Sequence, residues 1–74
     1  MRVSKILICV KEGGAVLNDP PRIEIAGDQG ALIPNVGDKY LAPSFAMIVA
    51  RRSFEFFPEE ESLLVCLEPE QRVS

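Results

Sequence analysis

The chain of 74 residues contains no histidine and no tryptophan, and only two cysteines and one tyrosine. Without histidine, the commonest general base is missing, and Ser-His and Cys-His nucleophilic pairs are excluded. A structural zinc site normally needs four Cys or His ligands, and one chain with Cys9 and Cys66 cannot supply them. No apolar run approaches the roughly 18 residues that span a bilayer. The amino terminus has Arg2 and Lys5 ahead of the apolar run 6–10, but Lys11-Glu12 ends that run before it reaches the length of a signal-peptide core. These features lead to the expectation of a soluble, cytoplasmic protein. The net charge is −3 at pH 7. That balance disfavours general polyanion binding, which rests on a concentrated basic footprint, although a local basic patch stays open.

What remains is aliphatic. Hydrophobic residues make up 47% of the chain, too many for a disordered segment. The length allows one domain, read as residues 1–70 with a frayed polar tail at 71–74. A domain this small buries only about 60% of the surface its unfolded chain exposes, so help from self-association, metals or disulfides is common.

The chain is organised around the stretch 47–68, MIVARRSFEFFPEEESLLVCLE. Two apolar segments flank Pro58-Glu59-Glu60-Glu61-Ser62, the pattern of a β-hairpin. Strict alternation is broken in its first arm. Val49 falls on the side of Arg51 and Ser53, whereas Phe54 and Phe56 fall on the side of Arg52. A β-bulge near Arg51-Arg52 brings Val49, Phe54 and Phe56 to one inner face. A helix over 44–53 is the competing reading; the dense Ile, Val and Phe content and Pro58 favour a strand.

Other strands follow the same logic. Residues 3–10 are apolar on both faces, which suggests a central strand, or one with a face covered by a partner. Gly13-Gly14 marks a turn, and Asp19-Pro20-Pro21 a break. Arg22-Ile23-Glu24-Ile25 alternates as a half-buried strand with both isoleucines inward. Gly27-Asp28-Gln29-Gly30 is a turn with glycines for positive φ. Pro34 and Gly37-Asp38 frame another turn before a strand at Tyr40-Leu41, and Ala42-Pro43-Ser44 is a further break. Leu63 to Leu67 form the last strand, closed by Glu68-Pro69. Five to six short strands punctuated by Gly and Pro predict an all-β fold: a small antiparallel barrel or sandwich, SH3-like, with little or no helix.

Few residues carry chemistry. Cys9 and Cys66 sit inside apolar runs and read as free buried thiols, with a disulfide joining first and last strands as the alternative. Burial raises a thiol's pKa and leaves it inert. Glu59, Glu60 and Glu61 form a solvated turn that keeps a Phe-rich hairpin soluble. Asp19, Asp28 and Asp38 are turn formers, because no calcium-loop spacing is present. Gly13-Gly14 and Gly27-x-x-Gly30 are not phosphate loops, and no cofactor is implied. The single candidate binding surface is Lys39, Tyr40, Arg51, Arg52, Phe54 and Phe56. Basic and aromatic residues interleaved on a strand suit single-stranded nucleic acid. Alternatively, the aromatics are core and the arginines pair with Glu55 or the acidic turn.

The pattern Pro34-Asn35-Val36-Gly37-Asp38, then Val49-x-x-Arg52-x-Phe54-x-Phe56, then Leu63-x-Val65-x-Leu67-Glu68-Pro69 resembles small bacterial and phage-type β-barrel proteins. In those a P-x-V-G-D turn precedes a strand, and a final hairpin ends in a Leu-Glu-Pro-like segment. The similarity covers residues 32–69. It implies a barrel fold and no activity. The expected function is a non-enzymatic protein-interaction or assembly module that forms homo-oligomers or binds another protein, with single-stranded nucleic-acid binding as the alternative.

Overall fold

The computed structural model describes residues 2–18, 22–42 and 45–73. The strands are β1 (Lys5–Glu12), β2 (Ala15–Val16), β3 (Ile23–Ala26), β4 (Lys39–Ala42), β5 (Phe45–Phe57) and β6 (Ser62–Val73). A single 3-10 turn, Gly30–Leu32, lies between β3 and β4. The all-β expectation holds, with residues 44–53 contributing strand at every described position.

β1 is central, as its two apolar faces imply. One of its sides pairs with both β2 and β3, antiparallel. The other pairs with β6 in parallel, setting Ile6 opposite Leu63, Ile8 opposite Val65, Cys9 opposite Cys66 and Val10 opposite Leu67. β6 then pairs antiparallel with β5, and β5 with β4. The result is one open mixed sheet rather than a closed antiparallel barrel. The parallel β1–β6 pair makes the sheet mixed, and its edges, β2 and β3 on one side and β4 on the other, do not pair with each other, so it stays open. The 37 × 23 × 20 Å envelope reflects the long β5–β6 hairpin.

Local chemistry shapes the connections. Gly13 and Gly14 take φ of 63° and 84°, which a tight hairpin turn requires. The loop before β4 is braced by Asn35 and Asp38. The Asn35 N–H donates to Asp38 Oδ2 at 2.8 Å, and the Asp38 N–H donates to the Asn35 carbonyl at 2.9 Å. β6 does not stop at Glu68-Pro69. Pro69 lies past the last residue paired with β1, where a missing donor costs no ladder bond, and the register skips Glu70 beside it.

The core occupies one face: Ile6, Ile8, Val10, Tyr40, Met47, Val49, Val65 and Leu67 are buried, with Val3, Leu17, Ile25, Ile33 and Leu63 packed around them. Ile25 faces inward as expected, but Ile23 is 39% exposed, because β3 is an edge strand. Asp19-Pro20-Pro21 and Pro43-Ser44 lie outside the described residues.

Candidate protein-interaction surface

The hairpin's bulge sits one residue before the expected position. The β5–β6 register skips Ala50 between Val49 and Arg51. Its consequence is the expected one. Val49, Arg52, Phe54 and Phe56 stand opposite Pro69, Leu67, Val65 and Leu63, all on the core face. Yet only Val49 is buried. Phe56 is half-buried and Phe54 is 52% exposed. β4 pairs with β5 only as far as Ile48. Beyond Val49, no described strand pairs with that side of the aromatic end of β5.

Phe54 is nonetheless held. The Arg52 guanidinium lies 5.3 Å from its ring centroid, a cation–π geometry. Arg52 Nη1 in turn donates to the Pro34 carbonyl oxygen at 3.2 Å. The arginine therefore ties the loop before β4 to the exposed ring. Leu32 and Val36 on that loop are also exposed, at 62% and 60%.

The rest of the expected surface disperses. Tyr40 is core, opposite Met47 in the β4–β5 ladder, and burial raises its pKa. Lys39, its neighbour along the strand, therefore points to the other face, and so does Arg51, next to Arg52. Arg51 Nε pairs with Glu68 Oε2 at 2.9 Å, so its partner is neither Glu55 nor the acidic turn. Of six candidates, Arg52, Phe54 and Phe56 are brought together and Lys39, Tyr40 and Arg51 are not. Composition alone could not separate them, because face assignment depends on the bulge.

The acidic turn is tied to the segment before β1. Glu61 adopts φ 50°, and its carbonyl accepts the Ser4 N–H at 2.7 Å. Its carboxylate meets Arg2 at 3.7 Å and accepts the Ser4 hydroxyl at 3.3 Å. Cys9 and Cys66 are free and buried, their sulfurs 3.2 Å apart. Desolvation first, then the neighbouring Cys66 thiol, pushes the Cys9 thiol up to about 11. Among the described residues there is no enclosed cavity, and no cluster of three or more Cys, Asp or Glu suited to a metal ion. No described helix is long and apolar enough to cross a membrane, which says nothing of strands.

No family profile matches this chain, and neither a curated protein nor a solved structure is significantly similar to it.

Proposed function

We propose that the chain is a non-enzymatic interaction module that self-associates through the aromatic arm of β5. The observation that supports this reading is Phe54, a large aromatic side chain 52% exposed on the core-facing side of a strand and clamped by Arg52. A pre-set aromatic anchor needs little ordering on association, which is how a few residues come to dominate an interface. A chain of 74 residues has little protein with which to cover that arm itself.

Nucleic-acid binding is the weaker reading. Stacking platforms for single strands combine aromatics with a groove of cations along the backbone path. Here Arg51 is answered by Glu68 and faces away from Phe54, so the aromatic face keeps Arg52 alone of the three candidate cations.

Light scattering across a concentration series tests the proposal. The expected result is a mass that rises with concentration, and a midpoint displaced by about tenfold, a change worth about 1.4 kcal/mol, in Phe54→Ser. A wild-type monomer at high micromolar concentration overturns the reading. Fluorescence anisotropy with short single-stranded oligonucleotides at low salt is expected to show no binding; tight binding there brings the nucleic-acid reading forward.

A further inference from the structure

The outer edge of β5 is divided in two. Residues 45–48 pair with β4. Val49 is satisfied by the loop: its N–H donates to the Asp38 carbonyl at 3.0 Å, and its carbonyl accepts the Gly37 N–H at 2.8 Å. From Ala50 to Phe57, no described residue offers backbone pairing on that side, while β6 occupies the other. This is a free strand edge with its backbone groups open to another strand.

We propose that two copies of the chain join edge to edge, antiparallel, through residues 50–56 of β5, with Ser53 on the two-fold axis. The inference rests on the self-association reading and names its geometry. An antiparallel pair of identical strands about a two-fold axis normal to the sheet sets i against j with i + j constant, and the sum is even because one residue lies on the axis. About Ser53, Arg51 stands opposite the partner's Glu55, and Arg52 opposite the partner's Phe54, each twice by symmetry. About Phe54, Arg51 meets Phe57 and Glu55 meets Ser53, so no ion pair forms. In-register parallel pairing sets Arg on Arg. Centres nearer the carboxyl end run into the turn after Phe57, and centres nearer the amino end collide with the loop at Val49. Charge and strand limits thus select one register.

The side chains are placed for it. Arg51 and Glu55 are exposed and share the face away from the core. Among the described residues Glu55 has no ion-pair partner, and the Arg51 side chain, 77% exposed, sits against Glu68. In the pair, Arg51 bridges Glu68 and the partner's Glu55. On the other face, the two Arg52–Phe54 units come together and cover the exposed rings. The interface is isologous, so it closes at two copies.

A charge-swap experiment tests this. In Glu55→Arg, two arginines of one copy oppose two arginines of the other. In the double variant Arg51→Glu/Glu68→Arg, the intrachain pair is kept in reverse and carboxylates oppose carboxylates across the interface. Each variant alone is expected to associate about tenfold or more weakly than wild type, in proteins whose circular dichroism is unchanged. Their equimolar mixture is expected to form a 1:1 dimer over the wild-type concentration range, because every Arg then opposes a Glu. A wild-type dimer that both variants form equally well overturns the edge pairing and leaves the self-association reading in place. A monomeric wild type overturns both. Hydrogen exchange on wild type provides the check that needs no variant: the amides of 50–56 that point away from β6 gain protection with concentration if the edge pairs, and stay unprotected if it does not, while those bonded to β6 are protected at every concentration.

Discussion

At Gly27 a methyl group has nowhere to go. A Cβ built there lies against the Val3 carbonyl, with the carbonyl carbon at 2.6 Å, and the Gly27 N–H donates to the Ser4 carbonyl at 3.0 Å. Both neighbours are backbone, so neither swings aside. Gly27→Ala is expected to cost about 1–3 kcal/mol in a urea titration, as overpacking does. Gly13→Ala meets no atoms and loses only the positive-φ preference, about 1 kcal/mol. In the sequence both positions read as turn glycines. The contact with Val3 is long-range, and no local pattern encodes it.

Cys9 makes a second prediction at this scale. Its folded pKa, about 11, lies above the ordinary 9.0, so the native state keeps its thiol proton where the unfolded chain releases it. Stability is therefore full below pH 9 and falls as pH rises through 11. The upward direction at Tyr40 has the same sign. Urea midpoints between pH 8 and 11 are expected to fall, with a flatter slope in Cys9→Ala and again in Tyr40→Phe. A midpoint that holds constant over this range counts against both burials.

At the scale of the element, β5 shows what alternation conveys and what it omits. Its strand character, its partner and the need for a bulge were all legible from Val49, Phe54 and Phe56. The bulge falls at Ala50 rather than at the arginines; a single extra residue anywhere between Val49 and Phe54 leaves the downstream faces the same, so alternation did not fix its position. Coverage was not legible. Phe54 and Leu67 lie on one face, but Leu67 is fully buried between β1 and β5, and Phe54 stands at an uncovered edge. The energetic consequence is a contrast between two truncations. Leu67→Ala is expected to cost about 2–5 kcal/mol, the range for a buried leucine. Phe54→Ser, which removes the larger side chain, is expected to cost under about 1 kcal/mol, close to the range of surface substitutions. Denaturant midpoints measured below the association range separate the two. Equal losses show that the Phe54 arm is packed rather than displayed.

At the scale of the whole molecule, the pairing of first and last strands sets the kinetics. The run apolar on both faces marked β1 as central, but side-chain pattern carries no information on strand direction. That is why the parallel pair went unread and an antiparallel barrel was expected. Cys9 and Cys66, in register across that pair, are 57 positions apart. The core residues Ile6, Ile8 and Val10 acquire their β6 neighbours only when the intervening chain has closed. The entropy of that closure is spent before the contacts form, so the transition state is reached slowly. The β5–β6 hairpin is local, but a hairpin alone is marginal in water. Refolding by stopped-flow dilution from urea is therefore expected to take milliseconds to seconds, the range of sheets built from distant pairings. Removing buried contact on β1, as in Val10→Ala, then distinguishes the order of events. If the β1–β6 pair forms in the transition state, the substitution slows refolding. If the hairpin and β4 assemble first and β1 docks afterwards, it mainly speeds unfolding. Closure of the long chain is the costly step, so the first outcome is expected. Refolding in microseconds shows that local contacts, not the junction of the two ends, limit the fold.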